Sequence, residues 1–96
     1  MSEVESLINI PSEHCSNIFG QFDEYAKTIE KTLNVTIIVR DSAVKVIGEE
    51  GHVEAASGVL NYLYELSKRG NQITRQNVDY AIAQSFEEKT DSLIEI

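Results

Sequence analysis

Two β-branched runs, Val35-Thr36-Ile37-Ile38-Val39 and Val44-Lys45-Val46-Ile47, stand close together in the middle of the chain. Branching at Cβ restricts χ1 and disfavours the helical rotamer, so both runs predict strands. Arg40-Asp41-Ser42-Ala43 between them gives room for a tight connection, and an antiparallel hairpin is the economical reading. A chain of 96 residues has room for one domain around that hairpin, with a core large enough to fold without metals or disulfides.

Ahead of the hairpin, Ser6 to Ile10 is a short β-rich run stopped by Pro11, which cannot donate to a ladder. Ser12 offers an N-cap, and Cys15, Ile18 and Phe19 fall at helical spacing until Gly20. Asp23 offers a second N-cap, and Phe22, Ala26, Ile29 and Leu33 make the apolar stripe of a helix that runs to about Asn34. After the hairpin, Val53, Ala56, Val59, Leu60, Leu63 and Leu66 mark a long amphipathic helix that ends at Lys68-Arg69-Gly70. A last helix opens with Thr74 as N-cap and Ile73 placed to staple against Val78, and its stripe is Val78, Ala81, Ile82 and Phe86. From Glu87 the chain turns polar, so a single domain is expected over 1–86, with 87–96 a polar linker leading on to a neighbouring domain. The order is β-α-α-β-β-α plus an added C-terminal helix. It predicts a small α+β sandwich, a three-stranded sheet with its helices on one face.

Eight Lys and Arg against sixteen Asp and Glu leave a net charge of −8, which opposes tight binding to nucleic acid or to an anionic membrane. That charge is carried by the flanks. From Gly20 to Gly48 the cations Lys27, Lys31, Arg40 and Lys45 balance Asp23, Glu24, Glu30 and Asp41, leaving a weak polar groove near the four cations. The lone Cys15 cannot close an internal disulfide and predicts a reducing, cytoplasmic setting, with the thiol buried beside Ile18 and Phe19. An acidic N-terminus and short apolar runs predict no targeting or membrane segment. His14 and Cys15 are adjacent and diverge by about 100° on a helix, so they do not chelate one ion, and no catalytic constellation or metal set is expected.

The element order, with a glycine between the first two helices, resembles a type I KH-like domain, and the run from Asn17 to Val35 looks like the KH consensus from its GxxG loop into a strand. More specifically, Phe19-Gly20-Gln21-Phe22-Asp23, Ile47-Gly48-Glu49, Leu63-Tyr64-Glu65-Leu66 with Arg69-Gly70, and Ile73-Thr74 with Asp79-Tyr80-Ala81-Ile82 resemble the N-terminal domain of bacterial PhoH-like proteins. That resemblance implies a larger parent, a cytoplasmic P-loop ATPase associated with RNA processing and phosphate starvation, in which a domain like this one precedes the nucleotide-binding domain. No G-x-x-x-x-G-K-[ST] occurs in this chain, so it is expected to be non-catalytic and to hold no cofactor, with ATP and Mg confined to the ATPase domain of the same protein.

The resemblance makes Gly20-Gln21-Phe22-Asp23 the segment with a specific functional reading. In an RNA-binding KH domain the glycines of this loop let the backbone approach nucleic-acid phosphates, usually with a basic residue between them. Here Asp23 replaces the second glycine and the middle pair carries no cation, so Asp23 is expected to cap the following helix and to repel phosphate. The candidate RNA-contact residues are Gly20, Gln21, Phe22, Lys27, Lys31, Arg40 and Lys45. Weak contact with single-stranded RNA is one expectation; a protein-interaction or homo-oligomerisation module that binds no nucleic acid is the alternative.

Overall fold

The computed structural model describes residues 3–40 and 43–94. Strand β1 (Glu3–Asn9) leads into helix α1 (Ser12–Phe19), a single 3-10 turn at Gln21–Asp23 and helix α2 (Glu24–Leu33). Strands β2 (Thr36–Arg40) and β3 (Ala43–Glu49) form the expected antiparallel hairpin, followed by helices α3 (Glu50–Lys68) and α4 (Arg75–Ile94). Asp41 and Ser42, in the predicted connection, lie outside the described residues. The sheet has the order β1-β3-β2, antiparallel throughout, with Leu7, Lys45 and Ile38 aligned across it.

Burial alternates along β3, where Val44, Val46 and Gly48 are buried while Lys45 and Ile47 are only half-covered. A period of two puts the buried set on one face of the sheet, and the helices cover that face alone. The core joins Ile8, Val44 and Val46 of the sheet to Ile18 of α1, Ile29 of α2, Leu60 and Leu63 of α3 and Val78 of α4. The α+β sandwich is therefore as expected. Cys15 lies in this core, and burial pushes its thiol up.

Local boundaries depart from the expected ones in instructive ways. Strand β1 starts at Glu3 rather than Ser6, because Glu3, Glu5 and Leu7 face the open side of the sheet while Val4, Ser6 and Ile8 face the helices. Acidic residues on the solvated face thus belong to the strand's alternation. Ser12 is the first helical residue rather than the cap; Pro11 takes the N-cap position with φ −58°, and its carbonyl accepts from the His14 amide at 2.9 Å. Thr74 does cap α4, and reciprocally: its Oγ1 accepts from the Asn77 amide at 3.3 Å, and Asn77 Oδ1 accepts from the Thr74 amide at 2.9 Å. Helix α4 continues to Ile94, past the expected end of its stripe near Phe86.

Candidate nucleic-acid interface

The candidate interface starts at the turn between α1 and α2. Gly20 sits at φ 78°, ψ 179°, a region closed to L side chains, and a Cβ added there would stand 2.7 Å from Cδ2 of the Tyr25 ring. The chain then passes through two consecutive left-handed residues, Phe22 (φ 56°, ψ 28°) and Asp23 (φ 58°, ψ 30°), before α2 begins. The Asp23 amide closes the turn on the Gly20 carbonyl at 3.2 Å.

Two expectations fail here for one reason. Asp23 makes no side-chain cap hydrogen bond, because a left-handed backbone does not aim its carboxylate at the helix amides as the usual extended N-cap does. Phe22 likewise leaves the stripe of Ala26, Ile29 and Leu33: its backbone is off the helix, and the residue is 84% exposed. The amides of the first turn of α2 therefore have no side-chain cap, and an aromatic ring stands in solvent at the tip of the loop.

Along α2, Lys27 and Lys31 are exposed and lie about 60° and 100° around the helix from Glu30. Glu30 Oε2 accepts from the Ile37 amide on the outer edge of β2 at 2.7 Å, so a carboxylate bridges the groove between α2 and the edge strand. A capped edge amide is unavailable to a pairing strand, and the contact fixes α2 against the sheet. Ile37 and Val39, aligned with the buried Val46 and Val44, give that groove an apolar wall on the helix side.

The register divides the four predicted cations. Arg40 and Ile38 share the face of Lys45, the open side of the sheet away from the helices, and Lys45 Nζ lies 3.7 Å from Glu5 Oε1. Lys27 and Lys31 belong to the helix layer. Lys27 and Lys31 stand one turn apart on α2, the helix that follows the Gln21–Asp23 turn, whereas Arg40 and Lys45 lie on the open face of the sheet; the single groove expected around all four cations is not formed.

Sequence reasoning missed a polar hub that holds α1, and with it the loop, in place. Asn17 Nδ2 donates to Ser67 Oγ and to the Asn71 carbonyl, both at 2.9 Å, and Asn17 Oδ1 accepts from the Ile73 amide at 2.9 Å. His14 Nδ1 completes it at 2.7 Å from Ser67 Oγ. No periodicity flags such a contact, since its partners lie fifty or more positions away.

A second surface lies between α3 and α4, where Gly58, Tyr62, Tyr80, Ala81, Gln84 and Ser85 line a cavity of about 190 Å³. The Tyr62 and Tyr80 rings are tilted against each other with centroids 5.9 Å apart. Gly58 lies within α3, and nothing stands within 4 Å of where its Cβ would be. Glycine in a helix interior is less favourable than alanine, so Gly58→Ala is expected to raise stability by about 0.5–1 kcal/mol in denaturant unfolding. A loss of stability would show that the added methyl meets neighbouring side chains.

No protein-family model matches the chain. Among curated proteins it is similar to the PhoH-like protein of Bacillus subtilis strain 168, 36% identical over 72 residues, covering 75% of this chain and 22% of that protein. It is also similar to the PhoH-like protein of Mycobacterium tuberculosis H37Rv, 29% identical over 82 residues, covering 85% of this chain and 23% of that protein. Among solved structures, a protein of unknown function from Aeropyrum pernix superposes with a TM-score of 0.72 at 16% identity, over 99% of this chain and 53% of its own. Dim2p from Pyrococcus horikoshii gives 0.68 at 18% identity, over 85% and 49%. The first KH type I domain of human Vigilin gives 0.66 at 15% identity, over 78% and 84%.

Fold and loop thus define a KH-like α+β module. The chain is related to the N-terminal part of PhoH-like proteins, and it spans less than a quarter of the length of the curated relatives it matches. Among the described residues no helix is long and apolar enough to cross a membrane.

Proposed function

We propose that this domain is a non-catalytic accessory module of a PhoH-like parent and that it contacts single-stranded RNA weakly through the loop after Gly20 and the adjoining face of α2. The observation that carries the reading is a solvent-directed loop in a KH-like fold, followed directly by a helix that exposes Lys27 and Lys31, neither in an ion pair among the described residues. Exposed ammonium groups attract phosphate at range, whereas the net charge of −8 and the Glu30 carboxylate on the same helix keep that attraction small. ATP and Mg would be handled by the rest of the parent, an ATPase of RNA processing or phosphate starvation working in the cytoplasm.

Binding of a short pyrimidine-rich RNA, followed by anisotropy at several salt concentrations, tests this. Two phosphate contacts on a single strand predict a log–log salt slope of about −1.4, and Lys27→Ala and Lys31→Ala are each expected to reduce it by about 0.7. Binding whose slope is indifferent to both substitutions would place the RNA elsewhere. Absence of binding would favour the second reading, a protein-interaction module, which the aromatic cavity between α3 and α4 supports.

A further inference from the structure

We infer that Phe22 is a stacking platform for an unpaired nucleobase, so that this loop recognises the face of a base where a glycine-rich loop of the same shape would approach a phosphate. The inference rests on the single-stranded RNA reading above and deepens it. Phe22 is 84% exposed, and its ring is absent from the core. It occupies the left-handed region at φ 56°, where a bulky side chain is a true outlier and where glycine or asparagine would sit more easily. A strained, outward-held aromatic is the kind of feature that folding alone does not reward, since ring and backbone would both be more comfortable otherwise.

The chemistry of the loop selects the base over the phosphate. Gln21 and Phe22 carry no positive charge, and the exposed Asp23 beside them, free of any cap hydrogen bond, repels an anion. A nucleobase face is neutral, and stacking on an aromatic ring needs neither a cation nor a hydrogen-bond donor. Lys27, just inside α2, supplies the charge for the adjoining backbone. An apolar protein pocket would take the Phe22 ring equally well but would leave Lys27 and Lys31 without a purpose. Stacking of this kind tolerates any base and requires it to be unpaired, so single strands are bound and duplexes are not.

The chain contains no tryptophan, so Phe22→Trp places a sole indole at the loop tip. Titration of that variant with an octauridine strand is expected to quench the indole emission, while an abasic strand of equal length leaves it unchanged and binds more weakly. Phe22→Gly is expected to lower octauridine affinity by about five- to 140-fold, the range for loss of one stacked base. The same variant is expected to keep or raise the thermal midpoint, because glycine relieves the left-handed backbone. A purely structural role for Phe22 would lower both together. Equal binding of abasic strand and octauridine, or unchanged affinity in Phe22→Gly, overturns the stacking inference and leaves RNA contact through the lysines standing. If wild-type chain binds neither strand, the inference falls together with the RNA reading. Duplex RNA binding as tight as the single strand also overturns it.

Discussion

Gly20→Ala is expected to destabilise the domain by about 2–4 kcal/mol, a large fraction of the roughly 5–15 kcal/mol typical of a folded domain. Two terms add. At φ 78°, ψ 179° an L side chain is forced into a region essentially reserved for glycine, which costs about 1–3 kcal/mol. The new methyl would also meet the Tyr25 ring at 2.7–3.0 Å, where neighbouring atoms must shift. Against these stands a gain of about 0.4–1 kcal/mol from the less flexible unfolded chain, too small to cancel them. Chemical denaturation measures the sum, and a double-mutant cycle separates the terms. In a Tyr25→Ala background the clash is gone, so Gly20→Ala should there cost only the dihedral part, about 1–3 kcal/mol. Equal costs in both backgrounds would show that the ring moves aside freely and that backbone strain carries the whole effect. A neutral substitution would mean that the turn does not hold this conformation in solution, and the exposed position of Phe22 would lose its support.

Why the loop escaped sequence reasoning follows from the same residue. Periodicity reports where side chains recur on a regular element, and it placed the apolar residues of α2 and α3, the β2–β3 hairpin and the glycine between α1 and α2 correctly. It has no term for a residue that steps off the helix. Phe22 lies four positions before Ala26 and so fits the stripe by number, but two left-handed residues intervene and turn it outward. Asp23 fits the N-cap by type and fails it by backbone angle. The division of the cations has a different origin: Arg40 and Lys45 are close in sequence to Lys27 and Lys31, but strand alternation and register decide the face, and the register depends on pairing with β1. Short-range pattern therefore gave the elements, while the interface depended on backbone signs and long-range pairing.

Asn17→Ala is expected to cost about 2–4 kcal/mol, comparable to a core truncation, although the residue is polar. Its side-chain amide ties α1, the end of α3 and the segment before α4 together, through Ser67 Oγ, the Asn71 carbonyl and the Ile73 amide. Each such bond contributes about 0.5–1.5 kcal/mol net, and a partly buried amide left without an acceptor adds a further penalty of about 1–3 kcal/mol. Ile73 is the amide at risk, because its own side chain is buried in the core and keeps the backbone from turning towards water. Ser67→Ala should cost less, about 1 kcal/mol, since Asn17 Nδ2 keeps the Asn71 carbonyl and His14 is partly exposed to solvent. The two substitutions share a bond, so the double variant should fall short of their sum by about 0.5–1 kcal/mol. Strict additivity in urea unfolding would deny the Asn17–Ser67 bond, and a neutral Asn17→Ala would deny the hub. The consequence for function is separable from stability at low temperature. With α1 released from the 67–73 segment, the loop that α1 carries loses its fixed setting, and on the RNA reading proposed above affinity should weaken in Asn17→Ala even where the domain remains fully folded, whereas Gly58→Ala, within α3, should leave it unchanged.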